Sequence, residues 1–554
     1  MVPTPGELVS PTSMFPAHHQ LMEAREAFAR GDWDAARLAM EGAASETALE
    51  VEDQEILARS KWWLGDVQGS MALSEDIFRR KVTDGLPQSA ARAALMLSLQ
   101  WGLRGNIVVS SAWLNRARLL LESLPESVEH GYLLYLEGND AIYFEGDAGP
   151  ALSASVQLKE LSRRLLAPEL ASFASMLSGL AAVRSGDASN GFRDLDEAML
   201  PVLAGQVPAE WGGDIYCSVI HLCYEMADFS RMRAWTDALA TWCEGLSTSF
   251  MYASIVRVHQ LQLLSAEGNW SHVESEIADL GQRLRHAHGW IAADCFCELG
   301  EIRRRRGDTA GAAAAFAVAR ELGVDAQPGP ALLLAQEGRT DTATDALRAA
   351  LAERGPLGRA WLLLPMVELL APGNPSAAEI YCRELEQTAS RYGSPGFLGR
   401  AHHARGAVLM AERRWPEAMS ALEAAAQAYR SQRLRYELAE IHDRLASVNA
   451  AVGEHRAADA ERATATAIRA QLGAANIPWL RTSAEPGGLT SREVEVLSCV
   501  LSGSSNRHIA DTLTISEKTA GRHLANIFTK IGVTSRTAAA AWARQHGIPE
   551  RPGP

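Results

Sequence analysis

The residues best equipped for chemistry in this 554-residue sequence lie close to its C-terminal end, between positions 505 and 530. Side chains with a cationic, amide or hydroxyl group recur there at helical spacing: Lys518, Arg522, Asn526 and Thr529. At about 100 degrees per residue these four fall on one side of a helix, with Thr519 and Lys530 on its flanks. Such a set of donors suits base edges and phosphates, and a helix that carries them fits the major groove of double-stranded DNA.

The opposite side of this segment is apolar, as a helix that packs against a core requires. It holds Ala520, Leu524, Ile527, Phe528 and Ile531. Arg522 lies near the middle of the polar side and is predicted to contact a base; the alternative is a solvated surface charge. The flanking groups are better placed for phosphates: Lys518, Thr519 and Lys530.

Two shorter predicted helices precede this one and must hold it in place. Thr490 at an N-cap and Glu493 three residues later form a capping-box pattern, which begins a first helix that Gly503 ends. Ser505 can cap a second helix, and Ser516 can cap the third, which runs to about residue 531. Ser505 and Arg507, at the start of the second helix, complete the predicted DNA-binding set.

These segments, taken in order, resemble the LuxR-type helix-turn-helix domain. The matching stretches are 489–497, 506–510, 515–519, His523, 526–527, 530–533 and 535–536. The resemblance implies that the helix from about Ser516 to Ile531 reads the major groove. It also implies that a further helix, from about Ser535 to Arg544, pairs two subunits, so the expected partners are double-stranded DNA and a second copy of the chain.

Three positions depart from the pattern that this family usually shows. His508 stands in place of a capping Glu, Ala520 in place of Val, and Gly521 in place of a Lys that commonly contacts DNA. A glycine inside an exposed helix costs roughly 1 kcal/mol relative to alanine. We therefore expect weakened or altered DNA binding.

The charge of the chain is distributed unevenly. The whole chain has a formal net charge of -14, whereas the residues from Gly487 onward carry +3, which leaves -17 on the rest. A mildly basic tail on an acidic body indicates that the larger part of the chain does not touch DNA.

A short turn signal, usually Gly followed by Asp or Asn, organises the larger part of the chain. Clear copies begin at Gly31, Gly65, Gly105, Gly146, Gly186, Gly268, Gly307 and Gly373, and weaker copies begin at Ala227, Gly338, Arg413 and Gly453. A spacing of about thirty to forty residues is typical of paired antiparallel helices. In such a pair, glycine ends one helix and the polar residue caps the next.

This pattern resembles tetratricopeptide repeats with lengthened loops, over roughly residues 15 to 470. The predicted fold is therefore all-α, a tetratricopeptide-like helical-repeat superhelix followed by a small helix-turn-helix domain. Stacked pairs form a long concave face, which usually binds a small molecule, a peptide or a protein. The alternative is an array that serves only as a spacer or an oligomerisation scaffold.

Helix-breaking residues concentrated at 473–488 predict a linker there. The predicted domains are a flexible N-terminus at 1–14, helical repeats at 15–472, this linker, and a DNA-binding domain at 489–554. The sequence shows neither a signal-peptide pattern nor eighteen consecutive apolar residues, which predicts a cytoplasmic protein with no membrane partner.

The sequence offers no pattern for catalysis or cofactor binding. Large LuxR regulators with a comparable repeat region often carry an ATP-binding module, but none of the five lysines here follows a glycine, which excludes a Walker-type loop. The chain thus resembles the C-terminal half of those regulators. His402 and His403 have no evident partner, and Cys295 and Cys297 would point to nearly opposite sides of a helix. We predict no metal site, no cofactor and no enzymatic activity.

Two hypotheses follow for the whole chain. The first is a DNA-binding transcriptional regulator whose repeats sense an effector or bind a protein partner, with RNA polymerase as a further partner if it activates. The alternative is a helical-repeat interaction scaffold with a degenerate helix-turn-helix, which acts through another regulator.

Overall fold

The structure, a computed structural model, describes residues 14–244, 250–475, 489, 491–513, 515–546 and 548. The chain divides into two compact units, residues 1–476 and 477–554. In the described residues every regular element is helical, apart from an isolated bridge residue at Leu489. The predicted all-α fold is confirmed for this part of the chain. None of the described helices is both long enough and apolar enough to cross a membrane.

The first unit is an array of helix pairs in which each helix packs against the next one along the chain. Its first six pairs are α1 (Met14–Ala29) with α2 (Trp33–Glu46), α3 (Val51–Trp63) with α4 (Val67–Thr83), α5 (Pro87–Leu103) with α6 (Ile107–Leu121), α7 (Val128–Asp140) with α8 (Ala148–Leu165), α9 (Pro168–Arg184) with α10 (Ala188–Leu203), and α11 (Ala209–Glu225) with α12 (Phe229–Glu244). A π-helical turn, Ala141–Glu145, extends α7.

Six further pairs follow in the same manner. They are α13 (Phe250–Ala266) with α14 (Trp270–Leu284), α15 (Gly289–Arg306) with α16 (Thr309–Glu321), α17 (Gly329–Gln336) with α18 (Thr340–Glu353), α19 (Pro356–Leu370) with α20 (Pro375–Tyr392), α21 (Pro395–Ala411) with α22 (Trp415–Gln432), and α23 (Arg435–Ala451) with α24 (His455–Leu472). Every turn predicted from the sequence separates the two helices of one of these pairs. The tetratricopeptide-like pairing is thereby confirmed.

Left-handed backbone closes most of these turns, as predicted. Gly31 has a φ of +75° and Gly186 a φ of +92°. The weaker copies at Ala227 and Arg413 adopt the same conformation, with φ of +53° and +60°, although a side chain makes it costlier by roughly 1–2 kcal/mol. Gly373 is the exception, because its φ lies outside this region. The expectation of a left-handed glycine there is wrong, and the turn relies on Asn374 as a cap instead.

The polar residue after the turn caps the second helix in most pairs. Its side chain accepts a hydrogen bond from a backbone N–H two or three residues later at Asp32, Asp66, Asn106, Asp147, Asp187, Asp228, Asp308 and Asn374. Asn269 makes no such bond. Capping therefore accompanies the turn wherever Asp follows it, and it explains why Asp and Asn recur at this position.

Helices far apart in the sequence also meet within the first unit. The indole Nε1 of Trp361 on α19 donates to the carbonyl oxygen of Glu225 on α11 at 2.8 Å, and its ring stacks on that of Tyr224. Arg305 on α15 pairs with Glu437 on α23 at 3.0 Å. The array is therefore held together by contacts between distant helix pairs as well as between successive ones.

The second unit contains four described helices, α25 (Ser491–Leu501), α26 (Asn506–Leu513), α27 (Glu517–Ile531) and α28 (Arg536–Gln545). All four contribute to one apolar core. Its buried members include Val496, Leu497, Ile509, Leu513, Leu524, Ile527, Ala539 and Ala543. The predicted linker at 473–488 and N-terminus at 1–14 fall almost wholly outside the described residues, so both remain predictions.

Candidate nucleic-acid interface

The apolar side of α27 packs as the sequence predicts. Ala520 and Ile527 are fully buried, Leu524 is 5% exposed, and Phe528 and Ile531 are partly buried against the same core. These five side chains fix which side of the helix faces outward.

Serine side chains set the beginnings of the three helices around this site. Ser505 Oγ accepts from the backbone N–H of His508 at 3.2 Å, and Ser516 Oγ accepts from that of Thr519 at 3.1 Å. Ser535 caps α28 in the same way. The predicted N-caps of the second and third helices are confirmed. Thr490 of the predicted capping box lies outside the described residues.

The outward side of α27 presents the predicted polar set together. The exposed members are Lys518, Arg522, Asn526 and Thr529. Thr519 is half-buried and its hydroxyl contacts Ser516 Oγ at 2.6 Å, while the Thr529 hydroxyl donates to the carbonyl oxygen of Ala525. Arg522, in the middle of this surface, forms no ion pair within the described part of the chain.

Ser505 and Arg507 lie beside α27 rather than on it. Both are exposed at the beginning of α26, which packs directly against α27. As a helix cap, Ser505 Oγ accepts a hydrogen bond, and its O–H can still donate to a phosphate, so both residues stay candidates for a contact with DNA.

Lys530 differs from the other predicted residues because it has a partner inside the domain. Its Nζ donates to Glu493 Oε2 at 2.7 Å, and Glu493 is only 3% exposed. The contact joins α27 to α25 across 37 residues of sequence. Its ammonium group therefore stabilises the domain, and the phosphate role predicted for it stays a prediction.

We expect Lys530→Ala to destabilise this unit by about 1 kcal/mol, because a nearly buried carboxylate loses a charged donor. Lys518→Ala is the matched control, since it removes the same charge from an exposed site at the other end of α27. Hydrogen exchange of the α25 and α27 amides in the full chain measures the difference. Equal protection in the two variants would contradict a structural role for Lys530.

Sequence reasoning assigned no role to Arg536, which the structure shows to be a positioning residue. Its Nη1 donates to Asn506 Oδ1 at 2.9 Å, and its Nη2 donates to the carbonyl oxygen of Ser504. Burial lowers the pKa of its guanidinium, which nevertheless stays charged. Arg536 thus holds the turn before α26 in place. Asn506 and Arg536 both belong to the matched family stretches, and that match was the available signal.

Gly521 lies on α27 next to this surface, and the structure leaves room for a side chain there. A Cβ atom would meet only Asn506 Nδ2, at 3.8 Å, which is an ordinary contact. Neither strain nor a close approach requires glycine at this position.

We expect Gly521→Ala to stabilise the domain by roughly 1 kcal/mol, the helix-propensity difference between the two residues. Gly532→Ala is the control, because Gly532 ends α27 with a φ of +69°, where a side chain is strained. The unfolding temperature of the second unit, measured by hydrogen exchange, should be higher in Gly521→Ala and lower in Gly532→Ala than in the unchanged chain. A lower unfolding temperature in Gly521→Ala would show that α27 requires glycine at this position.

The comparison with protein families agrees with this geometry. Residues 488–543 match the family described as "Bacterial regulatory proteins, luxR family". The second unit contains a luxR-family helix-turn-helix domain. The matched segment begins just before α25 and ends within α28, so it includes α27 and the predicted DNA-binding residues.

Curated relatives match the same luxR-type domain. The "Probable csgAB operon transcriptional regulatory protein" of Salmonella typhimurium is 47% identical over 64 residues, which are 12% of this chain and 30% of that protein. "HTH-type transcriptional regulator AlkS" of Alcanivorax borkumensis is 40% identical over 60 residues, 11% of this chain and 7% of that protein. The chain thus spans about 30% or less of the length of these relatives, and their names bear on the luxR-type domain alone.

Solved structures align with much more of the chain, but weakly. The Cut9 and Hcn1 hetero-tetramer of the APC/C is 13% identical with a TM-score of 0.41, covering 97% of this chain and 98% of that chain. Yeast Tom70 is 11% identical with a TM-score of 0.33, covering 79% of this chain and 96% of that chain. Similarity at this level supports no argument about function.

Proposed function

We propose that this protein is a DNA-binding transcriptional regulator in which α27 of the luxR-type domain enters the major groove. One observation carries the proposal: the exposed Lys518, Arg522, Asn526 and Thr529 share one side of α27 while its other side is buried in the core. A helix held in this way can present its donors to base edges without exposing apolar residues. The curated relatives are transcriptional regulatory proteins by name, which supports the same conclusion.

Within this proposal the residues have different tasks. Arg522 reads a base, because a guanidinium forms two parallel hydrogen bonds with a guanine edge. Lys518 and Thr519 contact phosphates near the start of the helix, and Arg507 contacts the backbone from α26. Asn526 and Thr529 supply amide and hydroxyl groups further along the groove.

The rest of the proposal concerns assembly and control. Two copies pair through α28 on DNA, the repeats bind a small molecule or a protein partner, and an activator of this kind would also contact RNA polymerase. We also propose that the protein acts in the cytoplasm and has no enzymatic activity.

Salt dependence of DNA binding tests the central proposal. The probe is a duplex selected from random DNA by the full chain, with affinity measured between 50 and 200 mM salt. A dimer that contacts about six phosphates should lose roughly a thousandfold in affinity over this range.

A scaffold with a degenerate helix-turn-helix predicts a different result. Gly521 and the pairing of Lys530 with Glu493 both reduce the charge available on α27, which is the observation that favours this second candidate. If selection enriches no duplex, and binding to bulk DNA shows no salt slope, the scaffold hypothesis replaces the regulator.

A further inference from the structure

A fully buried histidine in the repeat unit has a ring nitrogen without a hydrogen bond. His403 on α21 is 0% exposed, and its Nδ1 lies 3.2 Å from the hydroxyl of the buried Tyr429. Its Nε2 makes no hydrogen bond, although it lies 3.3 Å from Glu368 Oε1. Buried polar atoms of this kind are uncommon and require an explanation, such as a bound ion or a water molecule.

Two carboxylates from other helices of the array lie close to this nitrogen. Glu368 lies on α19 and Glu440 on α23, and one potential ligand atom from each of these residues and His403 lies within 4.8 Å of the others. Ligand atoms about 2.0–2.2 Å from one metal ion lie roughly 3.4 Å apart in tetrahedral geometry. Side-chain movements on the order of 1 Å would bring the three groups to that spacing.

The surroundings favour an additional cation at this point. Glu440 makes neither a hydrogen bond nor an ion pair within the described residues, whereas its neighbour Glu437 is paired with Arg305. Its carboxylate lies close to that of Glu368 within the same cluster. Two carboxylates packed this closely repel one another when both are charged, and a bound cation would relieve that repulsion.

Each of the two nearby arginines, Arg444 and Arg400, has a partner of its own. Arg444 Nη2 donates to Glu368 Oε1 at 2.6 Å, so it contacts and orients one carboxylate of the cluster. Arg400 lies over the ring of Trp361 and donates to its backbone oxygen. Within the described residues neither guanidinium donates to His403, whose Nε2 makes no hydrogen bond.

We propose that Glu368, His403 and Glu440 bind one divalent transition-metal ion, with Zn²⁺ as the best fit. One imidazole and two carboxylates suit Zn²⁺, Co²⁺ or Mn²⁺, whereas Mg²⁺ and Ca²⁺ prefer ligand sets made of oxygen alone. Metal binding at Nε2 requires the tautomer in which His403 Nδ1–H donates to the Tyr429 hydroxyl, 3.2 Å away. A fourth position is left for water or another ligand.

Such a site would join three successive helix pairs of the array through α19, α21 and α23. It lies in the first unit and does not depend on the proposed DNA binding. It is formed by residues from three helices, separated by 35 and 37 positions, so no local sequence motif indicates it.

Co²⁺ titration of the full chain, stripped of metal with a chelator, tests the proposal. We expect one Co²⁺ per chain with visible ligand-field absorption, displaced by Zn²⁺. His403→Gln and Glu440→Gln should each weaken binding by at least about tenfold. The control is His402→Gln, since His402 is the exposed neighbour on the same helix and its replacement should leave the spectrum and affinity unchanged.

Two results would overturn the metal site. The first is a wild-type chain that binds no Co²⁺ with ligand-field absorption, which would leave the cluster as a buried ion-pair network. The second is equal affinity in the wild type and both site variants. If His403→Gln fails to fold, Glu440→Gln decides alone, because it keeps the size of a partly exposed side chain.

Discussion

Replacing Arg522 with alanine should lower the affinity for a selected DNA site by about ten- to a hundredfold, the value of a bidentate contact to one base. Arg522 is exposed at the middle of the polar side of α27 and is tied to no acid in the described part of the chain. Its removal should therefore change recognition without changing the fold, and surface substitutions of this kind alter stability by about 0.5 kcal/mol or less. Fluorescence anisotropy with the selected duplex and with bulk DNA measures the effect.

The comparison between the selected duplex and bulk DNA distinguishes base recognition from non-specific electrostatic binding. Arg522→Ala should reduce binding to the selected duplex far more than binding to bulk DNA. Lys518→Ala should weaken both by a similar factor and reduce the salt slope by about one. If Arg522→Ala weakens both DNAs equally, Arg522 is a phosphate contact, and another residue on α27 reads the bases.

The sequence predicted the turns of the repeat unit well because their chemistry is local. A left-handed residue followed by a capping side chain needs only neighbouring positions, and Gly31 with Asp32 carries the complete signal. Ala227 with Asp228 was found only as a weak copy because alanine gives no sign of left-handed backbone. Gly373 is the reverse case: the glycine is present in the sequence, but its backbone is not left-handed.

Contacts between distant segments were beyond the reach of sequence patterns. Lys530 looks like a surface cation on a helical wheel, and only the packing of α25 against α27 places Glu493 next to it. His403 looked like a histidine without a partner, because Glu368 and Glu440 reach it from two other helices. Both cases depend on the order in which helices stack, which periodicity does not encode.

The buried and exposed sides of α27, in contrast, were predicted correctly because they depend on the periodicity of a single helix. A helix with one apolar side can pack in only one orientation, so burial of Ile527 determines where Arg522 points. DNA recognition and folding therefore depend on different residues of the same helix. Substitutions on the polar side should change DNA binding, and substitutions on the apolar side should change stability.

Replacing Ile527 with alanine should destabilise the luxR-type unit by about 2–5 kcal/mol, because a fully buried side chain leaves a cavity in a small core. A unit of this size has little stability to spare, so much of the population would be unfolded at 37 °C and DNA binding would fall with it. Hydrogen exchange of the α27 amides in the full chain measures the loss directly.

Asn526→Ala is the matched control for this change, since Asn526 is the exposed neighbour on the same helix and alanine favours helix. It should keep or raise the protection of α27 while affecting only contacts with DNA. Peptides from α9 in the repeat unit, which has a core of its own, should exchange alike in both variants. Unchanged α27 protection in Ile527→Ala would mean that this side of the helix does not anchor the domain, and the outward direction assigned to Arg522 would lose its basis.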